Sequence, residues 1–174
     1  MRKIVLITLL TVLTITFLNA QIYTGINSKI ALPTGNYVEI NNGIGIDLLI
    51  GFLVKQKLDF NISANNSWFN TFIEKYKIRA LNANIRYFIL QKSLKPYIGF
   101  GTGYFHKSFK VPFETTFTEN GIGIIPSIGV LFDTKMINGL FVNTEFSYYK
   151  IYTEHEVSLI NFNIGILYYF KSKK

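Results

Sequence analysis

Cysteine is absent from the 174 residues, which removes disulfide frameworks, thiolate metal sites and a thiol for lipid attachment. Charge is scarce: Asp, Glu, Lys and Arg together make up 16%, against roughly 25% in soluble domains. Histidine occurs twice, as His106 and His155. Neither has a second ligand at useful spacing, so the sequence predicts no metal site and no cofactor. Long apolar runs are missing as well. Beyond Gln21 no stretch reaches the roughly eighteen apolar residues of a spanning helix, and sustained helical periodicity is missing too. The formal charge of +8 comes partly from Arg2, Lys3 and the terminal "KSKK". No basic stripe interleaved with aromatics remains to track a phosphate backbone, and no nucleic-acid partner is predicted.

What is present is alternation. Hydrophobic residues make up 49% and aromatics 16%, and they recur with a period of two. In "LINFNIGILYYF", Ile160, Phe162, Ile164, Ile166, Tyr168 and Phe170 share one parity, and Asn161, Asn163 and Gly165 the other. Such a period builds a strand with one greasy and one polar face. The pattern predicts strands at 22–32, 43–54, 57–66, 78–90, 94–105, 121–132, 139–150 and 159–170. Short links such as "KQ" and "QKS" alternate with longer ones such as "WFNTFIEKYK" and "HKSFKVPFETTFTEN". An even number of strands, with short turns at one end and long loops at the other, describes an all-β, eight-stranded antiparallel up-and-down transmembrane barrel. Ahead of it, "MRKIVLITLLTVLTITFLNA" has two cations, an apolar run and a small residue at Ala20. That layout predicts a secretory signal peptide over residues 1–20 and a barrel domain over 21–174. Pro126 interrupts the sixth strand, where a closed barrel has no edge to absorb its missing N–H. A bulge, or a strand starting near Ser127, is the expected remedy.

The composition of the polar face decides which side meets water. A soluble lipocalin-like carrier of an apolar ligand is also an eight-stranded barrel, with its greasy face inside. Its polar face would be dense in Lys and Glu. Here that face is Gly, Asn and Ser, with isolated charges at Lys29, Asp47, Asp59, Arg86 and Glu145. The greasy face carries no mid-strand charge, and Tyr87, Tyr104, Tyr148, Tyr168 and Phe170 lie toward strand ends, where an aromatic girdle belongs. The greasy face is therefore expected outside. The five charges are expected to form a paired, hydrogen-bonded plug in the lumen, because an unpaired buried charge is costly.

With these strands, "PYIGFGTGY" at 96–104, and Asn163, Gly165, Tyr168 and Phe170 near the end, the chain resembles the small outer-membrane barrels of the OmpA/OmpX type. The resemblance implies residence in the outer membrane of a Gram-negative bacterium, among outer-membrane lipid and lipopolysaccharide. It also implies that Asn163, Gly165, Tyr168 and Phe170 form the signal read by the barrel-assembly machinery. A barrel this narrow is filled by side chains, so no open pore is expected. Function is then expected in the four extracellular loops. Trp68, Phe69, Phe72, Phe109, Phe113 and Phe117 are the candidate contacts with an extracellular protein or surface, unless they pack on one another as extended hairpins. Enzymatic activity is not expected. A lipid A-modifying barrel needs a nucleophile and a base within reach, and in "HEVS" His155 and Ser158 fall on opposite faces of a strand.

Overall fold

The computed structural model describes residues 20–34, 41–70, 75–110 and 116–170, with the backbone alone of Asn70, Lys75 and Lys110. The predicted leader through residue 19, Phe72 and Phe113 lie outside the described residues. The chain folds into β1 (Gln21–Thr34), β2 (Gly43–Val54), β3 (Leu58–Asn70), β4 (Lys75–Phe88), β5 (Leu94–Lys110), β6 (Thr116–Asp133), β7 (Leu140–Tyr152) and β8 (Val157–Tyr169). Each strand pairs antiparallel with its sequence neighbours, and β8 closes on β1.

The register sets the shape of the barrel. From Gln21 the paired residues run through Leu53, Asp59, Arg86, Gly99, Ser127, Ser147 and Asn161, and return to β1 at Ala31, ten residues further on. A shear of that size on eight strands tilts them by about 40° and leaves an interior that side chains can fill.

Alternation puts the greasy face outside, as the composition of the polar face requires. Ile44, Ile46, Leu48 and Ile50 of β2 are exposed, as are Leu81 and Ile85 of β4 and Ile98 and Phe100 of β5. Asn27, Asp59, Asn61, Asn82, Arg86, Asn143 and Asn163 are buried within. An outward apolar belt on a closed antiparallel barrel is the arrangement a bilayer demands, because closure leaves no sheet edge and pairs the backbone within the sheet almost throughout. On β6 the belt runs from Ile122 to Phe132, about 25 Å along the membrane normal for strands with this tilt.

Three turns join the strands at the end that holds both the start of β1 and the end of β8. The tightest places Lys55 and Gln56 at φ 48° and 57°, with Lys57 N–H donating to Val54 O at 3.1 Å. Two left-handed residues in succession, closed by that bond, form a turn whose twist matches that of the flanking strands. At the third, Gly139 has φ 89° and accepts from Tyr169 N–H at 2.7 Å. A Cβ there would sit 2.4 Å from the Tyr169 carbonyl oxygen, so both backbone conformation and space call for glycine.

The opposite end differs from the sequence expectation. Strands three to six outrun their predicted bounds, so β3–β4 and β5–β6 continue as paired hairpins whose tips span only 71–74 and 111–115. Those two long links are largely strand. Alternation there is masked because the outward positions turn polar above the apolar belt while the inward ones stay aromatic. Pro126 also departs from expectation. It causes neither a bulge nor a late strand start: β6 is continuous, Pro126 pairs in register with Phe100 of β5, and its side chain faces outward. On the β7 side the ladder skips Ile125 and Pro126 and resumes in the same register, with Ile124 opposite Lys150 and Ser127 opposite Ser147. The missing N–H is absorbed by a local gap between two strands that their other bonds hold in place.

Candidate functional site

The lumen is stacked in three layers. Toward the short turns, Tyr23, Leu49, Leu53, Phe88, Tyr97, Leu131, Leu167 and Tyr169 form one apolar cluster. Toward the hairpin tips, Phe69, Tyr76, Ile78, Phe105, Ile125, Tyr149, Ile151 and Leu159 belong to another. Between them lies a polar layer that holds Lys29, Asp47, Arg86 and Glu145, while Asp59, the fifth charge expected inside, sits against Tyr23 and Leu53 of the short-turn cluster.

Those charges fall into two ion pairs and one neutral cradle. Lys29 Nζ lies 3.0 Å from Asp47 Oδ1 and sits over the Tyr149 ring, 5.0 Å from its centroid. Asn65 Nδ2 also donates to Asp47 Oδ1. Arg86 Nη2 lies 2.9 Å from Glu145 Oε2, and the guanidinium rests over Tyr97 at 5.0 Å. Tyr97 OH is 2.8 Å from Glu145 Oε2 and 2.9 Å from Asn143 Oδ1. Its single proton goes to the carboxylate, the stronger acceptor. Asn163 Nδ2 donates to the other carboxylate oxygen at 3.1 Å. Asp59 stands apart. It pairs across the sheet with Arg86 in register but accepts from neutral groups, Tyr23 OH at 2.9 Å and Asn61 Nδ2 at 3.1 Å.

The glycines of β5 make this packing possible. Gly101 and Gly103 lie opposite Asn84 and Asn82 of β4, and Cβ atoms on them would come within 2.0 and 2.1 Å of those Oδ1 atoms. The bare backbone is where the two carboxamides lie. Asn84 in turn donates to Asn61 Oδ1 at 2.9 Å.

The residues expected to signal assembly divide between the two faces. Asn163 and Gly165 face inward, with Gly165 pressed against Asn27. Tyr168 and Phe170 face outward at the short-turn end, their rings 5.3 Å apart and edge to face.

Of the aromatic candidates at the other end, Trp68, Phe69, Phe109 and Phe117 are strand residues, in keeping with the alternative that they extend and pack the hairpins. Phe69 is 1% exposed and packs on Tyr76 at 5.5 Å, so it belongs to the core and offers no contact. Phe109 lies 6.5 Å from Tyr76 and stacks on Phe117 at 5.3 Å, closing over the lumen mouth. Trp68 faces outward, with Lys77 Nζ 5.6 Å from its ring centroid.

Sequence reasoning overlooked three features. The first is the pair of apolar seals; tyrosines on the inward parity, such as Tyr23, Tyr97 and Tyr149, were the available sign. The second is a further ion pair at the mouth, Lys107 Nζ to Glu119 Oε2 at 2.7 Å, joined by His155 Nδ1 to Glu119 Oε1 at 2.6 Å. Reading 106–120 as loop hid it. The third is on the outside: His106 and Ser108 share the outward face of β5, and His106 Nδ1 lies 2.8 Å from Asn120 Oδ1. No hydrogen bond joins Ser108 to that imidazole.

Together, the closed antiparallel sheet, the outward apolar belt and the filled polar lumen define an integral membrane β-barrel of the small outer-membrane kind. The solved structures it resembles belong to that kind. Neisserial surface protein A superposes with a TM-score of 0.71 at 16% identity, over 87% of this chain and 99% of that one. The outer-membrane protein OprG of Pseudomonas aeruginosa gives 0.60 at 12% identity, over 88% and 97%. The attachment invasion locus protein Ail of Yersinia pestis gives 0.58 at 14%, over 87% and 97%. What these structures share with the chain is the fold. No family model and no curated protein matches the sequence.

Proposed function

We propose that the protein is an outer-membrane barrel whose interior is a sealed structural plug and whose working surface is its extracellular end, with no enzymatic turnover. The observation that carries this reading is the three-layered lumen, with an apolar cluster on either side of the charge-paired layer. An eight-stranded interior packed in this way leaves no continuous aqueous path, so contact with the outside passes through what the barrel presents. The paired hairpins β3–β4 and β5–β6 hold that end on strands, the rigid support that precise recognition needs. Structural neighbours support a surface role: one is the attachment invasion locus protein, also solved in complex with the heparin analogue sucrose octasulfate. In this reading the partners are outer-membrane lipid, the assembly machinery that reads Asn163, Gly165, Tyr168 and Phe170, and an extracellular protein or polysaccharide surface.

The test replaces the tips 71–74 and 111–115 with Gly-Ser turns and compares cells displaying either form for attachment to protein- and heparin-coated surfaces. Lost attachment, with the barrel still showing its heat-dependent gel shift, supports the surface role. Equal attachment of both forms overturns it and leaves a structural role. Lipid A recovered from cells with and without the protein should have the same mass; a changed acyl content would overturn the non-enzymatic reading.

A further inference from the structure

The outward face turns polar abruptly across four strands. One cross-strand row reads Asn66, Arg79, His106, Asn120 from β3 to β6. The next row toward the tips reads Trp68, Lys77, Ser108, Thr118. Every one of these side chains lies on the parity that carries the apolar belt lower down. The rows sit just above Leu81 and Tyr104, where the belt ends and the headgroups of the extracellular leaflet begin.

Two features separate this patch from ordinary rim residues. Its cations, Lys77 and Arg79, have no carboxylate partner among the described residues. At the same level on β7, by contrast, Lys150 is paired with Glu156. The patch also opens on a groove of about 560 Å³, whose lining includes Ile46, Leu48, Leu81, Trp68, Arg79 and His106. The groove is apolar toward the belt and basic toward the rim. On its lining Asn66 leaves Oδ1 buried without a hydrogen-bond partner. His106 is oriented through Nδ1 by Asn120, which leaves Nε2 uncommitted.

We propose that this wall is a binding site for one phosphate-bearing, acylated lipid of the extracellular leaflet. Lys77 and Arg79 take the phosphate, Arg79 through its forked donors, and His106 contributes a third polar contact. An acyl chain lies in the groove along Ile46, Leu48 and Leu81. Charge complementarity selects this occupant: two cations facing a leaflet need anions, and the chain supplies none among the described residues. The site depends on the barrel lying in a bilayer, which the face assignment establishes apart from any role in attachment.

The experiment is native mass spectrometry and lipid titration of the full mature barrel in non-ionic detergent, with bisphosphorylated lipid A as the probe and the same lipid stripped of phosphate as its control. One lipid A should remain bound. Lys77→Gln with Arg79→Gln should weaken it about thirtyfold, as two interfacial cations imply, while Lys150→Gln leaves it unchanged. Added salt should weaken the wild-type complex and have little effect on the double variant. Equal affinity for the phosphate-free lipid would overturn the proposal, and that arm needs no mutant to fold. Unchanged affinity in a double variant that keeps its heat-dependent gel shift would overturn it as well. Either failure leaves the attachment assay untouched.

Discussion

Two arginines on one strand sit in opposite surroundings. Arg86 points inward from β4, is 3% exposed, and meets Glu145 from the far side of the lumen. Arg79, an odd number of residues away and so on the other face, points out from the barrel wall and is exposed. The same side chain on the same sheet is tolerated for different reasons. Inside, a guanidinium survives because a carboxylate and a tyrosine ring replace most of its water. Outside, it survives by its height, above the hydrocarbon and among headgroups and solvent. The barrel thus has two rules for charge: partners decide within, and depth decides without.

The first rule breaks most visibly at Glu145. In Glu145→Leu the guanidinium of Arg86 remains buried, with Asp59 already held by Tyr23 and Asn61. Removing one member of a buried pair costs about 3–5 kcal/mol, so the urea midpoint of the folded barrel in micelles should fall sharply. Adding Arg86→Met should restore much of the loss, because replacing a whole buried pair by apolar groups is often close to neutral. Recovery stays incomplete, since Tyr97 and Asn163 lose their acceptor. A single variant as stable as the parent would mean that water or Asp59 already serves Arg86.

The second rule is tested one residue away from Arg86. Ile85 faces outward at the middle of the belt, between Ile89 at one end and Leu81 at the other. Ile85→Arg places a cation at a depth where it costs about 2–4 kcal/mol, with no partner inside the sheet to offset it. The same midpoint measurement in lipid vesicles should show that loss. A loss no larger than at the rim would mean that the belt is not centred on Ile85.

Period-two alternation made much of this legible. It assigned residues to faces, and the scarcity of Lys and Glu on the polar face told inside from outside. It also drew the inward five, Lys29, Asp47, Asp59, Arg86 and Glu145, onto one side. It could not say which of them meet. Parity reports the face but not the height, and height depends on a ten-residue shear that accumulates over eight pairings. Arg86 therefore sits in register with Asp59 on the neighbouring strand yet pairs with Glu145 on β7, and no local signal marks that choice. The hairpin ends were missed for a related reason. Above the membrane the outward positions become Asn66, Lys77, His106 and Thr118, so the contrast that reveals a spanning strand fades, although the backbone pairing continues through Asn70 and Lys110. Pro126 misled in the other direction. A proline rule framed for one strand overstates the effect in a sheet where a two-residue gap is held on both sides by an unbroken register.

The smallest expected effect completes the comparison. Arg79→Leu deletes a positive charge from β4 just as removing Arg86 would, but at the rim, where outward basic side chains cost or contribute about 0–1 kcal/mol. The urea midpoint should barely move. The guanidinium has no carboxylate partner among the described residues to strand, and the leucine simply extends the belt beyond Leu81. Where lipid carries phosphate, the same substitution should still reduce lipid retention, so stability and binding separate at this position, whereas at Arg86 a loss of charge acts on folding itself. A large drop in midpoint for Arg79→Leu would show that its surroundings hold it as tightly as the lumen holds Arg86, and the distinction between partner and depth would fail at the rim.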